Sequence, residues 1–216
     1  MATVRKKPPA QESPPRWQVP TLWSGETAVC IGGGSSLTQA QVDLVRGRAR
    51  VVAINDAYRL APWADVLYVA DYRWWEWHDA ARSFAGEKVT YSALAATRWP
   101  GLRWLPGDTR APGLSRNPAL LHCGRNSGYQ AINLAYLYGA RRIVLIGYDM
   151  QRTGDRGHWF GEHPNKVRSH YKNWLDSYDT IAKQLPALGL SIINATPGSA
   201  LRCFPMSRLD EIFRLV

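Results

Sequence analysis

The sequence has few residues that could build a metal centre or a disulfide framework. Its 216 residues include five histidines and only three cysteines, Cys30, Cys123 and Cys203. The cysteines follow neither a zinc-binding nor a disulfide spacing, so we expect reduced thiols in a cytoplasmic protein. A D-x-D metal motif is also absent. The sequence therefore predicts a cytoplasmic protein without a bound metal.

Long hydrophobic runs are missing as well. No stretch approaches the roughly 18 apolar residues that a membrane-spanning helix needs. Residues 1–22 are rich in proline and basic side chains and lack the apolar core of a secretory signal. We predict a flexible tail at residues 1–22, a single domain at residues 23–216, and no contact with a membrane.

Positive charge and tryptophan are in excess. The chain has 27 Lys and Arg against 17 Asp and Glu, a formal net charge of +10. A basic surface attracts polyanions such as nucleic acids and nucleotides. Ten tryptophans either stack on sugar rings or bases or fill the core. These features favour an anionic ligand but do not separate an enzyme from a binding protein.

Apolar runs alternate with helical segments along the chain. The runs TAVCI (27–31), RVVAIN (50–55) and RRIVLIGYDM (141–150) are continuous, which is typical of strands buried on both faces of a parallel sheet. A helix is predicted after Thr38, which is placed to form a capping box with Gln41. We predict an α/β fold: a doubly wound, mostly parallel, Rossmann-like sheet with helices on both faces.

Polar residues follow four of the predicted strands. They are Gly32–Ser36, Asn55 with Asp56, Asp71, and Gly147–Asp149. In a doubly wound sheet the ligand lies beyond the carboxyl ends of the strands, so we expect all four groups along one edge. Asp149 is expected to accept hydrogen bonds from nearby backbone amides and to order the loop.

The sequence GGGSS, residues 32–36, stands between the first strand and the first helix. Glycine lets backbone N–H groups converge on an anion at φ values that other residues avoid, and a helix N-terminus adds partial positive charge. The spacing matches neither GxGxxG nor a P-loop. Two interpretations remain open, a phosphate cradle and a tight turn between strand and helix.

Several segments, in this order, resemble bacterial sialyltransferases of glycosyltransferase family 42. They are VCIGGGSSL, AINDAYR, NSGYQAINLAYLYGARRIVLIGYDM, HWFGEH and NATPGSAL, within residues 27–205. They are also similar to phage-encoded proteins of unassigned function with the same core. The resemblance implies a metal-independent glycosyltransferase with a CMP- or UDP-type nucleotide-sugar donor and no other cofactor. A phage origin would place it in the cytoplasm of a bacterial host.

The resemblance assigns donor binding to several short motifs. In the family these are a G-x-G-x-S-L turn, in which Gly33 here replaces a frequent Asn, an Asn-Gln pair, a Thr-Ser-Gly helix start and a C-P-N-S sequence. With the polar strand ends included, the predicted donor-binding residues are Gly32, Gly33, Gly34, Ser35, Ser36, Asn55, Asp56, Asp71, Asn126, Ser127, Gly128, Tyr148, Asp149, Pro197, Gly198 and Ser199.

The loop after the strand at 141–150 contains the candidates for catalysis. The family has H-Y-x-G-H there, whose last His is the expected general base for the acceptor hydroxyl. Strict alignment puts Glu162 at this position, a shift of one residue puts His163 there, and His158 is a third candidate. Tyr148 and Tyr171 are candidates to donate to the departing phosphate.

Arg110, Arg116 and Arg125 flank a long loop and are candidates for contacts with phosphate or with the acceptor. The net charge and the similarity to phage proteins suggest DNA with hydroxymethylated pyrimidines as the acceptor. Two alternatives stay open. One is a non-catalytic phage accessory protein that binds a nucleotide or nucleic acid. The other is a magnesium-dependent enzyme like the pterin pyrophosphokinases.

Overall fold

The computed structural model describes residues 14–152, 154, 156–161 and 169–214. In this part of the chain, seven strands form one parallel sheet and two more form a short parallel pair. The strands are β1 (Thr27–Ile31), β2 (Arg50–Ile54), β3 (Val66–Tyr68), β4 (Glu87–Thr90), β5 (Arg103–Trp104), β6 (Gly107–Asp108), β7 (Leu121–His122), β8 (Arg142–Ile146) and β9 (Ser191–Asn194).

The large sheet has the order β5-β4-β3-β2-β1-β8-β9. The chain runs outward from β1 to β5 and then crosses back to add β8 on the other side of β1. Ile31, the last residue of β1, therefore stands opposite Ala53 of β2 and Ile146 of β8. The order reverses between β1 and β8, and such a switch point is where doubly wound sheets bind ligands.

Helices surround this sheet, as the sequence predicts. The α-helices are α1 (Gln39–Val45), α2 (Tyr72–Trp77), α3 (Ala93–Arg98), α4 (Ser127–Leu137), α5 (Tyr171–Ala182), α6 (Leu185–Leu188) and α7 (Leu209–Ile212). Short 3-10 helices follow β2 and α2. None of the described helices is both long enough and apolar enough to cross a membrane.

The two faces of the sheet bury separate apolar cores, because neighbouring strand residues point to opposite faces. On one face Ala28 and Cys30 of β1 pack with α4 and α5. On the other face Val29 and Ile31 pack with α1, α2 and α3. This arrangement confirms the prediction of an α/β, Rossmann-like fold with strands buried on both sides.

The cysteines agree with the expectation of reduced thiols. All three are free, and Cys30 and Cys123 are buried. Burial raises the pKa of the Cys30 thiol to about 12, so it stays protonated and unreactive at neutral pH.

The segment after β3 departs from its sequence pattern. The amphipathic pattern of residues 73–84 predicts a continuous helix, but α2 ends at Trp77. Positive φ angles at Asp79, Ala80 and Ala81 then turn the chain. This turn buries both alanines and Phe84 in the apolar core, and that burial outweighs the helical pattern.

Residues 14–22 fall within the segment predicted as a tail, and two of them pack on the domain. Val19 is buried, and its N–H donates to the carbonyl oxygen of Pro118 at 2.9 Å. The Trp17 N–H donates to the carbonyl oxygen of Trp104 at 3.0 Å. The described structure therefore extends the folded domain to Trp17.

The predicted capping box of α1 is present and gives a direct test of the fold. Thr38 Oγ1 accepts from the Gln41 N–H at 3.3 Å, and Gln41 Oε1 accepts from the Thr38 N–H at 2.9 Å. Thr38→Ala removes one of these bonds and should lower the free energy of unfolding by about 1 kcal/mol, measured by urea denaturation. Thr38→Ser keeps the hydroxyl and should lose much less; equal losses would contradict the role of the cap.

Candidate functional site

A cleft of about 400 Å³ opens beyond the carboxyl ends of β1 and β8. This volume lies within the roughly 300–1,000 Å³ typical of small-molecule sites. Thirteen of the residues predicted for the site line it. They are Gly32, Gly33, Gly34, Asn55, Asp71, Arg125, Asn126, Ser127, Gly128, Tyr148, Asp149, His158 and Tyr171.

The glycine turn after β1 packs tightly against the end of β8. The N–H of Gly32 donates to Ile146 and that of Gly34 to Gly147, both at 2.8 Å. A Cβ at Gly32 would lie 2.5 Å from the Gly147 carbonyl oxygen, and one at Gly34 would overlap the Asp149 carboxylate. None of the three glycines has a positive φ. Close approach, not unusual backbone angles, therefore explains Gly32 and Gly34, and their engaged N–H groups favour the tight-turn interpretation.

Gly33 connects this turn to the loop that contains His158. Its carbonyl oxygen accepts from the Trp159 N–H at 3.2 Å and lies 3.2 Å from His158 Nδ1. A carbonyl oxygen cannot donate, so Nδ1 must hold the hydrogen, and Nε2 is the basic nitrogen of the neutral ring. The His158 ring also stacks on Phe160, with the centroids 5.0 Å apart. The glycine turn and the histidine loop thus form one wall of the cleft.

Asp149 ties the turn after β1 to the end of β8. Its buried carboxylate accepts from the Ser36 N–H at 3.0 Å, from the Ser36 hydroxyl at 2.9 Å and from the Ser35 hydroxyl at 3.3 Å. This is the ordering role that the sequence analysis expected. Ser35 and Ser36, predicted as donor-binding residues, instead bind Asp149 and do not line the cleft.

The N-terminus of α4 forms the floor of the cleft. Asn126 caps this helix: its Oδ1 accepts from the Tyr129 N–H at 2.9 Å and from the Tyr178 hydroxyl at 2.8 Å. Its Nδ2 is buried and has no hydrogen-bond partner in the part of the chain that the structure describes. Ser127 and Gly128 follow in the first turn, where the helix dipole favours an anion.

Tyr148 holds the N-terminus of α4 in place. Its hydroxyl donates to the Gly128 carbonyl oxygen at 3.0 Å, and its N–H donates to Thr196 Oγ1 at 2.9 Å. Burial raises its pKa well above the ordinary value. Because its only hydroxyl hydrogen is already donated within the protein, the geometry favours a framework role over phosphate binding. Tyr171, at the start of α5, also lines the cleft and is the better candidate for that contact.

Of the predicted residues after β2 and β3, two line the cleft and one points into the interior. Asn55 lines the cleft with a φ of 50°, a conformation that Asn tolerates better than most residues. Asp71 also lines it and caps α2 by accepting from the Arg73 N–H at 2.8 Å. Asp56, predicted beside Asn55, is instead buried and accepts from Trp74 Nε1 at 2.9 Å. The 3-10 turn directs the Asp56 carboxylate inward, so this residue does not line the cleft.

The predicted motif near the C-terminus belongs to the framework. The buried Ser199 hydroxyl donates to the Tyr148 carbonyl oxygen at 2.6 Å, and the Gly198 carbonyl oxygen accepts from Gln151 Nε2 at 2.7 Å. With Pro197, these residues lie outside the lining of the cleft. Donor contact was predicted for them, but their polar atoms support the chain that leaves β8.

The three predicted arginines do not share one surface. Arg125 lines the cleft next to Asn126 and adopts a φ of 65°. Arg110 lies in a turn where its N–H donates to Asp108 Oδ1 at 2.8 Å, and neither it nor Arg116 lines the cleft. Of these three arginines, only Arg125 lines the cleft.

Two of the three catalytic candidates, Glu162 and His163, lie outside the described residues. Within the described ranges, no three His, Cys, Asp or Glu side chains cluster as a metal site would require. The identity of the base and the independence from metal therefore stay predictions.

The fold is similar to a solved structure of the sialyltransferase CstII from Campylobacter jejuni, in complex with a substrate analogue, cytidine-5'-monophosphate. The two share 12% sequence identity over 86% of this chain and 86% of that chain, with a TM-score of 0.54. This chain has a sialyltransferase-like fold. No protein-family model matches it, and no curated protein matches its sequence.

Within this fold, aromatic residues that the sequence analysis did not assign also line the cleft. They are Trp74, Trp77, Phe160 and Trp174. Trp77 is 40% exposed, which is unusual for so large an apolar side chain. The concentration of tryptophans between residues 63 and 99 was the available signal, but a core residue and a cleft residue look alike in a sequence.

The packing around the glycine turn predicts that Gly33 and Gly34 differ in how well they tolerate substitution by alanine. Gly34→Ala places a methyl group into the Asp149 carboxylate and should cost roughly 1–3 kcal/mol of unfolding free energy. Gly33→Ala is the matched control, because its Cβ would lie 3.5 Å from His158 Nδ1, an ordinary contact. It should change stability by less than about 0.5 kcal/mol. Urea denaturation of both variants tests this, and similar costs at the two positions would contradict the packing argument.

Proposed function

We propose that the protein is a glycosyltransferase that uses a nucleotide-sugar donor of the CMP or UDP type. The observation that supports this best is the convergence of three features in one cleft at the switch point. They are the N-terminus of α4, where the Asn126 amide nitrogen has no partner among the described residues, the glycine turn, and the loop with His158. The similarity to a sialyltransferase structure solved with CMP favours CMP within this class.

The proposed reaction moves a sugar from the nucleotide phosphate to an acceptor hydroxyl. The acceptor oxygen attacks the anomeric carbon, the bond from this carbon to the phosphate oxygen breaks, and a base removes the hydroxyl proton. His158, Glu162 and His163 are the candidate bases. In the neutral ring of His158 the hydrogen is on Nδ1, so Nε2 is the nitrogen that can accept a proton. The departing phosphate gains negative charge, which the N-terminus of α4 and the Tyr171 hydroxyl are suited to stabilise.

We propose hydroxymethylated pyrimidines in phage DNA as the acceptor, which would place the protein in the cytoplasm of an infected bacterium. The support is electrostatic: a formal net charge of +10 and an arginine, Arg125, at the cleft. The tryptophans at the cleft, above all the partly exposed Trp77, offer surfaces on which a base can stack.

Binding of the donor is tested with ligands before any acceptor is known. CMP should raise the melting temperature, because a ligand at 100 times its Kd stabilises the native state by about 2.7 kcal/mol. A thermal-shift screen with CMP, UDP, GDP, ADP and their sugars measures this. If none of these ligands raises the melting temperature, the nucleotide-sugar proposal is wrong.

The catalytic base is tested with His158→Gln, Glu162→Gln and His163→Asn, each made singly. Removing the true base should lower kcat by roughly 100- to 10,000-fold while CMP affinity changes little. Sugar transfer is followed by mass spectrometry of hydroxymethylated DNA incubated with CMP- and UDP-sugars.

His170→Asn is the control, since His170 does not line the cleft and this variant should keep full activity. Consumption of ATP that needs magnesium and stops with EDTA would instead favour the pyrophosphokinase alternative. Nucleotide binding by the wild type without any sugar transfer would instead favour a non-catalytic binding protein.

A further inference from the structure

The amide nitrogen of Asn126 is an unusual feature at the floor of the cleft. The atom is buried and lacks a hydrogen-bond partner among the described residues. Buried donors in native proteins are nearly always satisfied, because an unsatisfied one loses its hydrogen bond to water without gaining another. Because Asn126 lines the cleft, a ligand acceptor is the natural partner for this nitrogen.

The orientation of the amide is fixed by two donors on its oxygen. The Tyr129 N–H can only donate, so it must face Oδ1 rather than Nδ2. The Tyr178 hydroxyl donates to the same oxygen at 2.8 Å. Burial raises the pKa of Tyr178 well above its ordinary value, so this hydroxyl keeps its hydrogen at neutral pH. Both donors together prevent the amide from flipping.

The surroundings of the nitrogen indicate an anionic partner. It lies at the N-terminus of α4, an 11-residue helix, whose first N–H groups have no acceptor within the helix. Ser127 and Gly128, which provide these groups, line the cleft together with Arg125. Backbone donors, a side-chain amide and a cation at one place are typical of a phosphate site.

We propose that Asn126 Nδ2 donates a hydrogen bond to a phosphate oxygen of the bound nucleotide, and that Tyr178 is the positioning residue that holds the amide for this contact. The inference rests on the proposed function, since it assigns a phosphate subsite in the same cleft. Tyr178 itself does not line the cleft and acts only through Asn126.

The decisive variant is Asn126→Asp. A carboxylate still accepts from the Tyr129 N–H and the Tyr178 hydroxyl, and Asp caps helices as well as Asn does, so the fold is retained. The donor is lost and a negative charge faces the phosphate. CMP affinity measured by calorimetry should fall about 10- to 100-fold, while cytidine, which has no phosphate, should bind as before.

Asn126→Ser removes the amide without adding charge and keeps an oxygen for the cap. This variant controls for a folding defect in Asn126→Asp. It should also lower the affinity for CMP but not the affinity for cytidine. A smaller loss than with Asn126→Asp is expected, because only the hydrogen bond is removed.

Tyr178→Phe tests the positioning role, and Tyr129→Phe is its matched control. Both remove one hydroxyl from neighbouring tyrosines, whose ring centroids are 5.7 Å apart. The Tyr129 hydroxyl donates to the Gly113 carbonyl oxygen and not to Asn126. Tyr178→Phe should weaken CMP binding several-fold with cytidine unchanged, whereas Tyr129→Phe should change neither; a purely structural role would not separate the two ligands.

The outcomes also separate the inference from the proposed function. If the wild type binds neither cytidine nor CMP nor UMP, both are wrong. If it binds CMP but the Asn126 variants bind it equally well, the phosphate contact is wrong and the proposed function stands. Equal weakening of CMP and cytidine would place the amide against the nucleoside and would overturn the phosphate assignment.

Discussion

The site depends on the close approach of the glycine turn to the end of β8. Gly34 donates to the Gly147 carbonyl oxygen, and the Asp149 carboxylate occupies the space where a Cβ at position 34 would be. Gly33 lies between the two ends of this turn, and its carbonyl oxygen accepts a hydrogen bond from Trp159 in the histidine loop. Any side chain that separated the two strand ends would therefore move the cleft wall as well.

Most polar groups near the cleft already have partners inside the protein. Asp149 binds the serines of the first turn, Tyr148 holds the start of α4, and Ser199 supports the chain after β8. These bonds make the framework rigid, but they leave few donors for a ligand. The Asn126 amide nitrogen stands out because it is a buried donor at the floor of the cleft that has no such partner among the described residues.

The similarity to the solved sialyltransferase structure, at 12% sequence identity, concerns the fold and not the chemistry. Strand order and helix placement follow from apolar patterning, which many different sequences satisfy, whereas activity depends on a few side chains at one edge. The case for a nucleotide-sugar enzyme therefore relies on the helix end, the turn and His158 in one cleft. A similar sheet by itself is compatible with many functions.

The sequence by itself determined the local elements. Apolar runs marked β1, β2 and β8, Thr38 and Gln41 marked the start of α1, and the polar strand ends indicated the ligand edge, because these signals involve residues close together in the chain. Tertiary structure alone decided which polar groups face the cleft. Asn55 lines the cleft while Asp56 binds Trp74, and Trp77 lines it from the end of α2. These outcomes depend on packing between segments that are distant in the chain.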